Sequence, residues 1–153
     1  MTSVNSQYGK VFCLNAGGGT GKTTTTNLLL TKVRFDGQVA LATAVSGIAA
    51  TLLDNGRTLH SRCKVPINIQ ENSTCSMTKR DPRGKLFQKA RLLIIDEVTM
   101  GNKLIYECID RSLRFIREND KPFGKLTVLF SGDWRQILPV VKRGLGFKLL
   151  MLP

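Results

Sequence analysis

Short apolar runs alternate with longer stretches of mixed polarity along this chain. The runs predict strands over residues 10–15, 39–43, 92–95 and 126–130. The stretches between them predict helices over residues 22–34, 47–55 and 102–118. The last helix carries one apolar face, formed by Ile105, Ile109, Leu113 and Ile116. From the first helix we expect Leu28, Leu29 and Val33 to face inward.

Alternating strands and helices predict a three-layer α/β domain with a mainly parallel sheet. The runs at 10–15 and 92–95 are expected to be buried strands. Gly56 is expected to end the second helix, and residues 57–89 are expected to form a long connection broken by prolines. Ligands of such sheets bind at the carboxyl ends of the strands, so polar residues there are the first candidates for a site.

A glycine-rich segment follows the first predicted strand. Residues 16–23 read AGGGTGKT, which resembles the phosphate-binding Walker A pattern G-x-x-x-x-G-K-[ST] with Ala16 at the first glycine. Glycine permits the backbone turns that direct N–H groups at phosphate oxygens, and a helix N-terminus adds its dipole. The candidate ATP-binding residues are Gly17, Gly18, Gly19, Thr20, Gly21, Lys22, Thr23 and Thr24. The alternative is a glycine-rich turn that binds no ligand.

Two acidic residues end the apolar run at 92–95, as in a Walker B motif. Lys22 is expected to contact the β- and γ-phosphates of ATP, while Thr23 and Asp96 are expected to hold Mg²⁺. Glu97 would orient and polarise the attacking water. Taken alone, two acids at a strand end are also a common exit to solvent, but the glycine-rich segment favours the catalytic interpretation.

A third polar cluster follows the last predicted strand, where residues 132–140 read GDWRQILPV. A glutamine at a strand's carboxyl end, here Gln136, can hydrogen-bond a γ-phosphate or a water and so report hydrolysis. The alternative is an ordinary turn with a surface arginine, Arg135, and a packed tryptophan, Trp134.

The charge balance adds a class of partner. The chain holds 23 basic and 11 acidic residues, a formal net charge of +12, which favours a polyanion such as nucleic acid or, less often, an anionic membrane surface. A solvated basic surface is the alternative. The excess concentrates in residues 57–91, where only Glu71 and Asp81 oppose the basic side chains.

The chain shows no apolar run near the length of a membrane span and no signal-peptide pattern at its polar N-terminus. The cysteines are irregularly spaced, which predicts free thiols rather than a zinc site or disulfides. These cysteines are Cys13, Cys63, Cys75 and Cys108.

The segment 132–140 resembles motif III of the Pif (petite integration frequency) helicases, which are superfamily 1 motors that move 5′ to 3′ on single-stranded DNA. SGIAA at 46–50, GRTLHS at 56–61 and PFG at 122–124 resemble further segments of these helicases. The resemblance covers residues 11–144 and is closest to helicases encoded by Helitron transposons. It implies a P-loop NTPase (RecA-like) domain that binds ATP and single-stranded DNA.

The resemblance also assigns roles to individual residues. It implies that Gln136 contacts the γ-phosphate and that Arg135 links the nucleotide site to neighbouring elements. It further implies that four residues lie along the DNA path, namely Thr43, Ser46, Thr58 and His60. From the residues alone, an ordinary capping or surface histidine is the preferred interpretation of His60.

The resemblance implies a domain organisation as well. Residues 1–10 would be a polar N-terminal segment, residues 11–144 a first motor domain, and residues 145–153 a divergent tail. The second motor domain and its arginine finger would be absent, and losing such a finger can cost on the order of 10³–10⁵ in rate. Nuclear location and roles in DNA repair, recombination and telomere maintenance are implied by resemblance alone.

Three functions are compatible with the sequence to different degrees. The first is an ATP-dependent DNA helicase motor domain, present as a fragment. The second is a module that binds nucleotide and single-stranded DNA with little or no turnover. The third, a P-loop ATPase or kinase acting on something other than DNA, leaves the 132–140 cluster and the positive charge unexplained.

Overall fold

Strands and helices alternate through residues 9–136, which are the residues that the computed structural model describes. The strands are β1 (Val11–Asn15), β2 (Val39–Ala44), β3 (Arg57–Thr58), β4 (Ala90–Asp96) and β5 (Thr127–Gly132). The α-helices are α1 (Lys22–Phe35), α2 (Gly47–Thr51), α3 (Leu59–Cys63), α4 (Pro82–Lys89) and α5 (Lys103–Arg117). Single 3₁₀ turns cover Val98–Met100 and Pro122–Lys125. No helix in this part of the chain is long and apolar enough to cross a membrane.

The strands form one parallel sheet in the order β1-β5-β4-β2-β3, which confirms the predicted sheet type. The last strand in sequence, β5, lies between β1 and β4. Its register places Ser131 beside Leu14 on one side and Phe130 beside Ile95 on the other. The carboxyl ends of β1, β5 and β4 are therefore neighbours, and the three polar clusters that follow these strands meet at one edge.

Helices cover both faces of the sheet, as the sequence predicts. On one face the small side chains of β2 and the apolar side chains of β4 pack under α1 and α2, around Leu30 and Val33. On the other face α5 packs its predicted apolar stripe, with Ile109 and Leu113 fully buried against Phe130. The fold class is thus a three-layer α/β domain.

The inward face of α1 differs from the prediction. Leu28 is 65% exposed and Leu29 is only partly buried, whereas Leu30 and Val33 are buried together with Thr26. Val33 was predicted correctly and Leu28 was not. Thr26 can occupy the inward face because its hydroxyl donates to the carbonyls of Lys22 and Thr23, so no polar atom is left unpaired there.

The second helix ends earlier than the sequence predicts. α2 stops at Thr51, and a turn follows. The left-handed residue of that turn is Asn55, with φ 54°, and not Gly56. Gly56 is required for a different reason, since a Cβ there would lie 2.1 Å from the Ala50 carbonyl oxygen. Gly56 thus allows close backbone packing, and the prediction that it ends the helix is wrong.

Two further predictions need correction. β1 is not a buried strand, because Val11 is 40% and Phe12 is 44% exposed, and among the described residues β1 pairs only with β5. The segment 57–89 is not a plain connection, since it contains β3, α3 and α4. Pro82 begins α4 at its first turn instead of breaking structure, a position where the missing N–H is not needed.

Candidate functional site

The glycine-rich segment forms a turn between β1 and α1. Gly19 and Gly21 have φ of 74° and 85°, a backbone conformation that side chains disfavour. Ala16 does not need this conformation, and its N–H donates to the Gly132 carbonyl at 3.2 Å. The substitution at the first glycine of the motif is therefore accommodated. The Thr20 hydroxyl closes the turn by donating to the Gly17 carbonyl at 2.7 Å.

The first turn of α1 is prepared for an anion. Its N-cap is Gly21, no side chain caps the helix, and no acidic residue lies in its first turn. The N–H groups of that turn are thus left for an external acceptor, and the helix dipole favours a negative one. Lys22 forms no ion pair within residues 9–136, so its ammonium group is free to meet a phosphate.

The threonines that open α1 divide into two kinds. Thr25 and Thr26 donate to backbone carbonyls of the preceding turn. The hydroxyls of Thr23 and Thr24 form no hydrogen bond in the described part of the chain. Thr23 therefore presents a free oxygen beside the glycine turn, which is the requirement for a metal ligand.

Asp96 ends β4 as a buried carboxylate, 5% exposed, and its Oδ1 has no hydrogen-bond partner in residues 9–136. Leaving a buried carboxylate oxygen unpaired costs free energy unless a cation or donor satisfies it. A hard divalent cation held by Asp96 and the Thr23 hydroxyl fits this donor set. No cluster of three or more metal-ligating side chains exists in residues 9–136, so such an ion would need ligands from its substrate or from water.

Glu97 directly follows Asp96 and adopts φ 54°. A left-handed conformation at a residue other than glycine, asparagine or aspartate is uncommon and costs of order 1–3 kcal/mol. The residue also begins the 3₁₀ turn at Val98–Met100 and is only partly buried. The chain thus bends sharply at the end of β4, and Glu97 does not continue the line of the strand.

The segment after β5 folds back over the glycine turn. A Cβ added to Gly17 would lie 3.7 Å from Asp133 Oδ2, and one added to Gly18 would lie 3.5 Å from Gln136 Nε2. The Asp133 carboxylate accepts from the Arg135 N–H at 2.9 Å, which shapes this turn. The Gln136 amide therefore lies beside the phosphate-binding turn, and both Gln136 and Arg135 are exposed. Residues 137–140 of the predicted cluster lie outside the described residues.

The family of this chain follows from its similarity to known proteins. The model of the PIF1-like helicase family matches residues 1–151. The chain belongs to the Pif1-like helicase family. It is 34% identical over 138 residues to the ATP-dependent DNA helicase Pif1 of Psychrobacter sp. (strain PRwf-1), covering 89% of this chain and 21% of that protein. It is 29% identical to the ATP-dependent DNA helicase PIF1 of Homo sapiens, covering 81% of this chain and 19% of that protein.

Solved Pif1 structures share the fold. The structure of Pif1 helicase from Bacteroides in complex with ADP-AlF3 and single-stranded DNA superposes with a TM-score of 0.75 at 36% identity, covering 90% of this chain and 31% of that one. Bacteroides Pif1 bound to single-stranded DNA gives a TM-score of 0.74 at 36% identity, with 91% and 32% covered. The chain thus spans about a third of these solved chains and about a fifth of the Psychrobacter and human proteins.

The predicted DNA-contacting residues lie away from the glycine turn, on β2 and around α2 and α3. Ser46 and Thr58 are the N-caps of α2 and α3, where their side chains accept from Ala49 N and Ser61 N. His60 is exposed on α3. Both caps are partly buried, so a local structural role accounts for their side chains without a ligand.

Thr43 differs from these residues in its burial. Its side chain is fully buried in β2, and its hydroxyl donates to the Ile94 carbonyl at 2.7 Å. The hydroxyl is thus satisfied inside the sheet, and a DNA contact of Thr43 stays a prediction. A central position in the strand order explains this burial, since β2 lies between β3 and β4.

Some residues of the site carried no motif signal. The Asn15 side chain accepts from Trp134 N at 3.3 Å and so links the end of β1 to the 132–136 turn. Ser131 is fully buried, and its Oγ has no hydrogen-bond partner. Since Ile95 pairs with Phe130, Ser131 lies beside Asp96 at the strand ends. Only the strand order, with β5 between β1 and β4, could have revealed these two residues.

Proposed function

We propose that this chain is the first motor domain of a Pif1-like DNA helicase, which binds ATP at the β1–α1 turn and couples its hydrolysis to single-stranded DNA. One observation carries the proposal. Within residues 9–136, Lys22 forms no ion pair, the Thr23 hydroxyl forms no hydrogen bond and the buried Asp96 Oδ1 has no partner, and these are the groups that phosphate and a metal ion require. The relatives with this fold are named ATP-dependent DNA helicases.

The nucleotide would bind with its phosphates in the glycine turn. The N–H groups of Gly17–Gly19 and of the first turn of α1 would surround the β-phosphate, and Lys22 would neutralise the β- and γ-phosphates. Gln136, which lies against Gly18, would reach the γ-phosphate or the water beside it. Arg135, exposed next to it, would connect the nucleotide site to neighbouring parts of the motor.

Thr23 and Asp96 would hold Mg²⁺ between the turn and β4. When bound, the ion supplies charge neutralisation for the phosphoryl group during in-line displacement. Glu97, at the bend after β4, would accept the proton of the attacking water. The buried position of Asp96 favours it as the ligand, and the partly buried position of Glu97 favours it as the residue that meets water.

Single-stranded DNA would pass over the surface formed by α2 and α3, near Ser46, Thr58 and the exposed His60. The basic residues of the segment 57–91 would contact its phosphates. Nuclear location and roles in DNA repair, recombination or telomere maintenance remain predictions from the family, and the link to transposons rests on the sequence resemblance alone.

ATP hydrolysis by the purified chain tests this proposal. Turnover is measured with Mg²⁺, with and without oligothymidylate, for the natural sequence and for Glu97→Gln. We expect turnover that DNA stimulates and that Glu97→Gln lowers by at least about 100-fold, while nucleotide affinity stays within a few-fold, because the substitution removes the base and keeps the site's shape. Nucleotide and DNA binding with no turnover would instead support the second candidate, a binding module.

A further inference from the structure

An arginine-lined cavity lies at the β3 edge of the sheet, between β3, α3 and α4. Its volume is about 210 Å³, and it is lined by Arg57, Ser61, Arg62, Pro82, Arg83 and Leu86. None of these residues belongs to the nucleotide site, and the basic side chains come from separate elements. The tertiary fold brings Arg83 of α4 beside the segment that contains Arg57 and Arg62.

The cavity contains positive charge with no internal counter-ion. Within residues 9–136 the ion pairs are formed by Lys32, Lys79, Lys103 and Arg114, and none of the cavity arginines takes part. Burial lowers the pKa of Arg62, and the neighbouring Arg57 lowers it further. Like charges that converge in a partly desolvated place destabilise the fold unless an anion joins them.

The hydrogen bonds of these arginines are also incomplete. Among the described residues, Arg62 donates one hydrogen bond, from Nη2 to the Asn55 carbonyl at 2.7 Å, while its Nε is shielded from solvent and has no acceptor there. Nη1 of Arg83 is likewise shielded and finds no acceptor in this part of the chain. Arg117 provides the contrast, because its guanidinium donates to the carbonyls of Gly124 and Ala90. Within residues 9–136, Arg62 thus makes one backbone hydrogen bond where Arg117 makes several, and Arg83 makes none.

We propose that this cavity binds a phosphate group, which Arg57, Arg62 and Arg83 hold together with the Ser61 hydroxyl. A phosphate offers several acceptor oxygens that match the planar donor fork of arginine. Two sources share this chemistry. One is a backbone phosphate of single-stranded DNA passing along α3, an assignment that rests on the proposed function. The other is a free phosphate or a phosphorylated small molecule.

The first arm of the test measures the affinity of oligothymidylate by fluorescence anisotropy for Arg62→Gln and Arg83→Gln. Lys121→Gln is the control, because it removes the same charge from an exposed side chain outside both the cavity and the segment 57–91. For each cavity variant we expect a loss of about 10-fold or more, and a slope of log affinity against log salt that is shallower by about one. Less than about 3-fold is expected for Lys121→Gln. Arg83 makes no hydrogen bond in the described residues, so its variant is informative even if Arg62→Gln fails to fold.

The second arm titrates inorganic phosphate into the Lys22→Ala chain, where the nucleotide site is disabled, and follows the arginine side-chain N–H signals by NMR. Saturable shifts that Arg83→Gln abolishes support the cavity, whether or not DNA affinity changes in the first arm. If DNA affinity is unchanged, the source is a free phosphate. If the chain binds no DNA but phosphate still saturates the cavity, the proposed DNA function fails and the cavity stands. No saturable shift, together with equal DNA affinities for all three variants, overturns the proposal.

Discussion

The nucleotide edge of the sheet and the α2–α3 surface differ in how the fold uses their polar side chains. At the nucleotide edge, Lys22 has no ion pair with any described residue, and a buried oxygen of Asp96 has no partner among them. On the α2–α3 surface, Ser46 and Thr58 are committed to capping their own helices. This difference shows that a motif makes a residue a candidate for ligand binding, whereas a side chain without a partner inside the fold is available to bind a ligand.

The largest effect is expected on ATP affinity when the lysine at the nucleotide edge is removed. Lys22→Ala removes the charge from the first turn of α1 and should weaken ATP binding by about 100-fold, since a charge-assisted bond to phosphate contributes on the order of 1.5–3 kcal/mol. Isothermal titration calorimetry measures the loss. Lys32→Ala is the control, because Lys32 lies on the same helix and pairs with Asp36 at 2.7 Å. Unchanged ATP affinity in Lys22→Ala would reject the phosphate-binding role of the turn.

Gly56→Ala affects the α2–α3 surface through packing alone. Gly56→Ala places a Cβ 2.1 Å from the Ala50 carbonyl oxygen, and the backbone must move. We expect a loss of about 2–3 kcal/mol in the free energy of unfolding, measured by urea denaturation. Gly47→Ala is the control, because a Cβ there meets no atom within 4 Å and its φ is not left-handed. Equal stability of the two variants would show that the turn after α2 is not packed as described.

The smallest effect separates capping from DNA contact. Thr58→Ala should cost about 1 kcal/mol of unfolding free energy, because α3 loses its N-cap. Thr58→Asp keeps a capping oxygen and should preserve stability, but it adds a negative charge and should lower affinity for oligothymidylate. Equal DNA affinity in Thr58→Asp and the natural sequence would limit Thr58 to its structural role. Urea denaturation and fluorescence anisotropy read the two effects separately.

The sequence predicts the parts of the molecule that depend on local pattern. The apolar stripe of α5, from Ile105 to Ile116, is buried as its spacing indicates, and the glycine turn lies where its motif places it. Both follow from short-range rules on periodicity and backbone freedom.

Other features depend on contacts between distant segments. The burial of Thr43 follows from its position in the strand order, and the exposure of Leu28 from how α1 lies on the sheet. The unpaired Oγ of Ser131 beside Asp96 exists only because β5 inserts between β1 and β4. A linear pattern does not contain strand order, so these features could not be predicted from it.

The Mg²⁺ dependence of ADP binding tests whether Thr23 and Asp96 hold the same metal ion. ADP affinity is determined with Mg²⁺ and with EDTA for Thr23→Ala, Asp96→Asn and the double variant. If both residues hold one ion, each single change removes most of the Mg²⁺-dependent gain in affinity, and the double change adds little more. All four chains then bind ADP alike in EDTA. Additive losses, or losses that persist in EDTA, would show that the two residues do not share a metal ion and would contradict the site described for this edge of the sheet.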